Sequence, residues 1–158
     1  MIGFADISEM LLKAGPELDV EEIAAVEETE SWLVALDDET EQTVSLTLDT
    51  TLGKLFLSTE IGQPPEERLA DTLDHALAFN LASVETGGLR IGREAELGEF
   101  VLLGDLSTAN LDAEVLAQML SAFAEASTAL GNIFAAGIGD ETPPPAETAG
   151  ETSHHIRV

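Results

Sequence analysis

The stretch from Pro64 to Gly92 constrains the fold of this chain more than any other. Pro64 and Pro65 preset a helical first turn, where main-chain N–H groups need no intrahelical partner. Glu66 and Glu67 follow in the same turn, at the positive end of the helix dipole. Leu69, Leu73, Leu77, Leu81 and Val84 then recur three or four residues apart, which predicts a helix with an apolar stripe. Ala70, Ala78, Phe79 and Ala82 form a second stripe beside it. A helix on the surface of a monomer needs one apolar face. Two such faces predict a helix covered from two sides, by its own sheet and by a second copy of the chain.

Charge bounds the partners. The 158 residues include 31 acids and 6 bases, a formal net charge of -25. All but four of the acids precede Gly131, so the acidity belongs to the folded body. Such a surface repels phosphate, which argues against nucleic acid and against anionic membrane surfaces. It attracts basic or amphipathic polypeptides. With no cysteine, the chain has neither a disulfide framework nor a thiolate site. No apolar run reaches the roughly 20 residues of a membrane span, and no basic segment followed by an apolar core opens the sequence. A cytoplasmic location is the resulting expectation.

The remaining elements follow from periodicity. Phe4, Ile7, Met10 and Leu11 predict a short first helix, stopped at Gly15-Pro16. Residues 17–30 are acidic and read as a loop. Ser31 to Leu36 is a strand apolar on both faces, with Trp32, Val34 and Leu36 on one and Leu33 and Ala35 on the other. After a turn at Asp37-Asp38-Glu39-Thr40, residues Thr43 to Asp49 alternate strictly, with Val44, Leu46 and Leu48 inward. Lys54 to Ile61 completes a meander. Beyond the central helix come strands at Leu89–Ile91 and Glu99–Leu103, then a helix from Leu111-Asp112 carrying Leu116, Met119, Leu120, Phe123 and Leu130. Asp112 is its expected N-cap, with Leu111 stapled onto Leu116. The predicted architecture is α+β, in the order α-β-β-β-α-β-β-α, with a five-strand, largely antiparallel twisted sheet packed by helices. One domain over residues 1–130 precedes a flexible, acidic, Gly/Pro-rich tail over 131–158.

Catalytic constellations are missing from the sequence. His75 stands four residues after Asp71, with neither a nucleophile nor a second ligand motif placed by the pattern. The acids at Asp37, Asp38, Glu39 and Glu41 lack the alternation, central glycine and closing glutamate of a calcium loop. Gly87-Gly88-Leu89-Arg90-Ile91-Gly92 leads from a helix into a strand, the reverse of a phosphate-binding loop. No enzyme activity, metal or cofactor is expected. Apolar surface carries more information: Phe4, Ile7 and Leu11, together with Trp32, Leu33 and Val34, either complete the core or form exposed patches for a partner.

The order of elements and several local motifs resemble the type III secretion chaperones of Gram-negative bacteria, of the CesT/Tir-chaperone type. The resemblance rests on Met10-Leu11-Leu12 to Gly15-Pro16-Glu17-Leu18, on Ala78-Phe79-Asn80-Leu81 leading to Glu85-Thr86-Gly87-Gly88-Leu89-Arg90-Ile91-Gly92, on Gly98-Glu99-Phe100-Val101-Leu102-Leu103, and on Leu111-Asp112-Ala113-Glu114. It implies a small acidic homodimer that binds the N-terminal segment of a secreted effector in extended form, keeps it competent for export, and meets the secretion apparatus. It maps dimer contacts to Leu73, Leu77, Phe79, Leu81 and Ile91, and client contacts to Phe4, Ile7, Leu11, Trp32 and Val34. Two other readings compete: an acidic inhibitor or immunity protein masking a basic site on its partner, and an enzyme using dispersed carboxylates.

Overall fold

The computed structural model describes residues 2–36, 42–82 and 84–136. The expected turn at residues 37–40 and most of the expected tail lie outside them. Twelve elements follow in order: helix α1 (Phe4–Ala14), a 3-10 turn at Gly15–Glu17, strand β1 (Val20–Val26), a 3-10 turn at Glu27–Thr29, β2 (Ser31–Leu36), β3 (Gln42–Asp49), β4 (Lys54–Gly62), a 3-10 turn at Glu66–Arg68, α2 (Leu69–Leu81), β5 (Arg90–Arg93), β6 (Phe100–Ser107) and α3 (Ala113–Ala136). The α+β class and the antiparallel sheet are as the sequence predicts. The strand count is not: six strands pair in the order β1-β2-β3-β4-β6-β5.

The sixth strand comes from the segment read as a loop. In β1, Glu22 to Val26 lie opposite Ala35 to Ser31 of β2, after a register shift between Val20 and Glu22. Alternation fails there because β1 is a sheet edge, exposed along most of its length. Its apolar residues Ile23 to Val26 run consecutively, and Glu21 and Glu22 put charge on the edge, which discourages pairing with other chains. Asp19 and Glu30 take positive φ at either end, of 48° and 47°, and so mark the strand's limits.

Alternation along the inner strands builds the core. Trp32, Val34, Val44, Leu46, Leu55, Leu57, Phe100 and Leu102 all turn to one face, where α1 and α3 cover them. Three contacts fix α1 to that face. The Phe4 ring stacks on Trp32 with centroids 4.7 Å apart, Trp32 Nε1 donates to Ser8 Oγ at 2.9 Å, and Ser8 Oγ donates to the Phe4 carbonyl at 2.9 Å. The cap of α3 is the expected one, since Asp112 Oδ1 accepts the Val115 N–H at 2.9 Å. Yet α3 runs past Leu130 to Ala136. Phe134 is fully buried and meets Phe100 edge to face at 5.1 Å. The body therefore extends six residues beyond the predicted boundary. Gly131 sits inside the helix, at the modest cost of one glycine, and its missing side chain leaves room against the Ile61 carbonyl.

The connection from β4 to β6 passes through α2 and β5, which places β5 at the second sheet edge. Asn80 of α2 closes that edge. Its Nδ2 donates to the Ile91 carbonyl at 2.9 Å and its Oδ1 accepts the Ile91 N–H at 2.7 Å, so one side-chain amide replaces a neighbouring strand. Asn80→Ala should cost about 1–3 kcal/mol, the range for leaving partly buried main-chain groups unpaired. Chemical denaturation measures this loss, and amide exchange should quicken first at Ile91. The opposite sign is expected at Thr72, whose buried hydroxyl has no hydrogen-bond partner among the described residues. Thr72→Val keeps the shape and removes the unpaired group, so thermal stability should rise by up to about 1 kcal/mol.

Candidate protein-binding surfaces

Helix α2 touches the body with a narrow face. Thr72 and Ala76 are buried, while Leu69 and Phe79 pack against the core. The other stripe has no cover: Leu73 is 37% exposed, Leu77 68% and Leu81 89%, with Val84 just past the helix at 93%. At 100° per residue, Leu73, Leu77 and Leu81 fall within an arc of about 80°. They form one apolar strip beside the β5 edge that Asn80 holds. Isolated exposed leucines are ordinary, but three aligned on one helix face are not.

Of the five residues mapped to the dimer, Leu73, Leu77 and Leu81 lie on this strip. Phe79 and Ile91 do not. Phe79 is half-buried against the core and Ile91 is a core residue of β5. Phe79 stands on the sheet side of α2, which leaves the three leucines as the exposed members of the set.

The five client-contact residues need a larger correction. Ile7, Leu11, Trp32 and Val34 are at most 1% exposed, so they are core and offer no surface. Phe4 is half-buried, its ring occupied by Trp32. Register explains this: Trp32 stands opposite Leu46 and Val34 opposite Val44, on the face that the regular alternation of β3 already marks as buried. Within the strands, the apolar residues that are exposed lie on the other face. Val26 and Leu33 are exposed on β1 and β2, as is Leu103 on β6; Leu12 of α1 is exposed too. Pairing the β2 and β3 patterns in sequence would have separated Leu33 from its neighbours.

Between Leu33 and Leu103 the outer face is bland. Thr43 and Ser45 on β3, Ser58 on β4 and Val101 on β6 line a groove of about 760 Å³ that reaches Ser127 and Gly131 of α3. Elsewhere on the sheet, Asp105 receives Lys54 Nζ at 2.6 Å and Arg90 Nη2 at 2.7 Å, tying β4, β6 and β5 together. These pairs are partly exposed and are worth little energy individually. A second groove, of about 650 Å³, runs between the Gly15–Glu17 turn and α3. In the β5–β6 turn, the Glu94 carboxylate accepts the Leu97 N–H and lies near further main-chain amides, which holds its pKa below the usual carboxylate value.

No chemistry gathers on these surfaces. His75 is half-buried on α2, and no group of three metal-ligating side chains forms among the described residues. No helix among the described residues is long and apolar enough to cross a membrane. The geometry is that of a sheet with uncovered apolar strips.

The sequence profile of the Tir chaperone protein (CesT) family matches residues 15–130. The chain belongs to the CesT family. Solved structures share its fold at low identity. The ExsC–ExsE complex contains a chain that superposes with a TM-score of 0.70 at 14% identity, covering 85% of this chain and 98% of that one. In the HopA1–SchA chaperone–effector complex the values are 0.63 and 12%, covering 82% and 95%. For the Yersinia pestis type III secretion chaperone SycH, solved with a fragment of YscM2, they are 0.56 and 20%, covering 78% and 98%. No curated protein sequence matches the chain. CesT-family membership accounts for the order of elements and for the sheet. The profile begins at Gly15, so α1 lies outside the match.

Proposed function

We propose that this chain is a non-catalytic type III secretion chaperone. It acts as a homodimer and holds the N-terminal segment of a secreted effector in extended, export-competent form. The observation that carries this reading is the uncovered strip Leu73, Leu77 and Leu81 on a chain that belongs to a chaperone family. Burying each large aliphatic side chain contributes about 1.5–3 kcal/mol. A twofold axis brings two such strips together, enough to offset the roughly 4–15 kcal/mol that association costs. Asn80 already takes up the Ile91 main-chain groups on the β5 edge, which favours helix packing as the route to a dimer.

Client binding then falls to surfaces outside that strip. Leu33, Val26 and Leu103 on the outer face, and Leu12 on α1, replace the buried residues as proposed contacts. An extended segment suits them: its apolar side chains anchor while its main chain pairs or stays solvated, and its ordering entropy is spent on binding. Two of the similar structures are of a chaperone with a bound protein or protein fragment, which supports the reading by analogy of fold.

Salt separates this account from its rival. An acidic inhibitor masking a basic site would bind mainly by charge, and its affinity would collapse as salt rises. Binding by apolar anchors survives. Titrating the purified chain with the N-terminal segment of a candidate effector by calorimetry, at low and high salt, tests this. Persistent affinity with a negative heat-capacity change is expected; affinity abolished by salt would favour the inhibitor.

A further inference from the structure

The few bases of this chain gather beside the uncovered strip of α2. Six bases stand against 31 acids in the sequence. Arg68 precedes α2, Arg90 and Arg93 lie on β5, and Lys54 shares Asp105 with Arg90. Lys13 is the remaining base among the described residues; it lies on α1, paired with Glu9 at 2.7 Å. Arg90 is the best placed of the set. It stands opposite Leu103 of β6, while its neighbour Ile91 turns into the core, so Arg90 is on the outer face of the sheet. Its side chain is 52% exposed, and Asp105 Oδ1 holds it at 2.7 Å.

One surface contains both features. Around α2, the buried Thr72 and Ala76 come first, then Asn80, which grips the β5 edge, then Leu73, Leu77 and Leu81. Successive steps in that order are about 20–40°. The strip thus continues the turn from core to edge to outer face, the side on which Arg90 lies. The two Asn80 bonds tie helix to strand and hold the leucines and the guanidinium in one arrangement. We propose that Arg90 belongs to the homodimer interface, where it meets carboxylates of the second copy. This rests on the dimer proposed above and supplies the charge that such a dimer needs. Two bodies of net charge -25 repel each other, so copies approach at least cost on the face where bases are concentrated. Asp71 and Asp74, exposed on α2, are the acids that a second strip brings with it. A guanidinium has five N–H donors, so Arg90 can serve Asp105 and a further carboxylate together. It flanks the strip and lies outside it, which leaves the leucine contact itself uncharged.

Sedimentation velocity on the full chain, over a concentration series at low salt, tests this, with circular dichroism to confirm that each variant is folded. Arg90→Gln should raise the dimer dissociation constant about two- to tenfold, because twofold symmetry counts an exposed ion pair twice. The effect should shrink as salt rises. Lys13→Gln removes the same charge far from the strip and should change the constant less than about twofold. Asp105→Asn separates a structural role from an interfacial one. It breaks the same pair within the chain but leaves the guanidinium charged and freer to meet the second copy, so the dimer should not weaken. Equal effects of Arg90→Gln and Lys13→Gln would overturn the proposal, because net charge alone would then explain them. Equal weakening by Arg90→Gln and Asp105→Asn would also overturn it, assigning the effect to the fold of β5. A parent chain that is monomeric at every concentration would overturn the dimer, and this inference with it.

Discussion

Leu77→Asp yields a folded monomer. Leu77 is 68% exposed, so the carboxylate costs the isolated chain almost nothing. In the proposed dimer it lies within a strip of leucines that has no base to receive it. Desolvating an unpaired charge there, with its symmetry mate close by, should raise the dimer dissociation constant at least about 100-fold. The chain's net charge of -25 adds repulsion that the apolar contact must already overcome. Sedimentation velocity reads the outcome directly, while circular dichroism and denaturation confirm the fold. Leu12→Asp is the control. Leu12 is 70% exposed, similarly apolar and on α1, so the same change there should leave the dimer intact.

Trp32→Ala should have the largest effect on stability, about 3–5 kcal/mol, the range for truncating a buried aromatic ring. Trp32 is 1% exposed, stacks on Phe4 and donates to Ser8, so its loss opens a cavity and detaches α1 together. The expected fall in melting temperature is on the order of 10 °C for a domain of this size. Trp32→Phe keeps a ring but loses the hydrogen bond and part of the buried indole volume, so it should cost less than Trp32→Ala without being neutral. A client-contact role would predict the reverse pattern, with stability unchanged and partner affinity reduced. The buried position of Trp32 favours the structural outcome. Any effect on a client should follow from losing α1.

The same residue marks the limit of what was legible. The sequence places Trp32 on a strand correctly, but a strand with apolar residues on both sides does not declare which side is core. That depends on the partner strand: the strict alternation of β3 marks its inner face, and pairing transfers the choice to Trp32 and Val34. The edge strand β1 escaped for a related reason. With one neighbour and little cover, it has no buried face to impose an alternating pattern. Periodicity made α2 plain and showed that it carries more apolar surface than one face needs, but it did not say which side is core: Leu69 shares the leucine stripe and yet packs on the body, and the buried Thr72 and Ala76 belong to neither predicted stripe. It could not show that Asn80 would fasten β5, since an asparagine in a helix advertises no distant main-chain partner. The end of α3 was obscured by Gly131, which breaks the propensity signal although Phe134 continues the buried face.

What results is a fold with a well-filled apolar core that still leaves apolar strips on its surface. The core is well supplied with large aliphatic and aromatic side chains, so the exposed leucines of α2 are not needed for folding. Their placement is better explained by association. Acidity complements this use: it keeps a chain with apolar strips soluble, repels nucleic acid, and steers basic or amphipathic segments towards the surface.

The central claim is that two copies of this chain hold one partner segment in extended form. Multi-angle light scattering on the complex purified with its client, followed by limited proteolysis, tests it most directly. The account predicts a mass of two copies plus one client, with only the client's N-terminal segment protected. A complex containing a single copy of the chain, or a client bound through a folded domain with its N-terminal segment still open to protease, would contradict it.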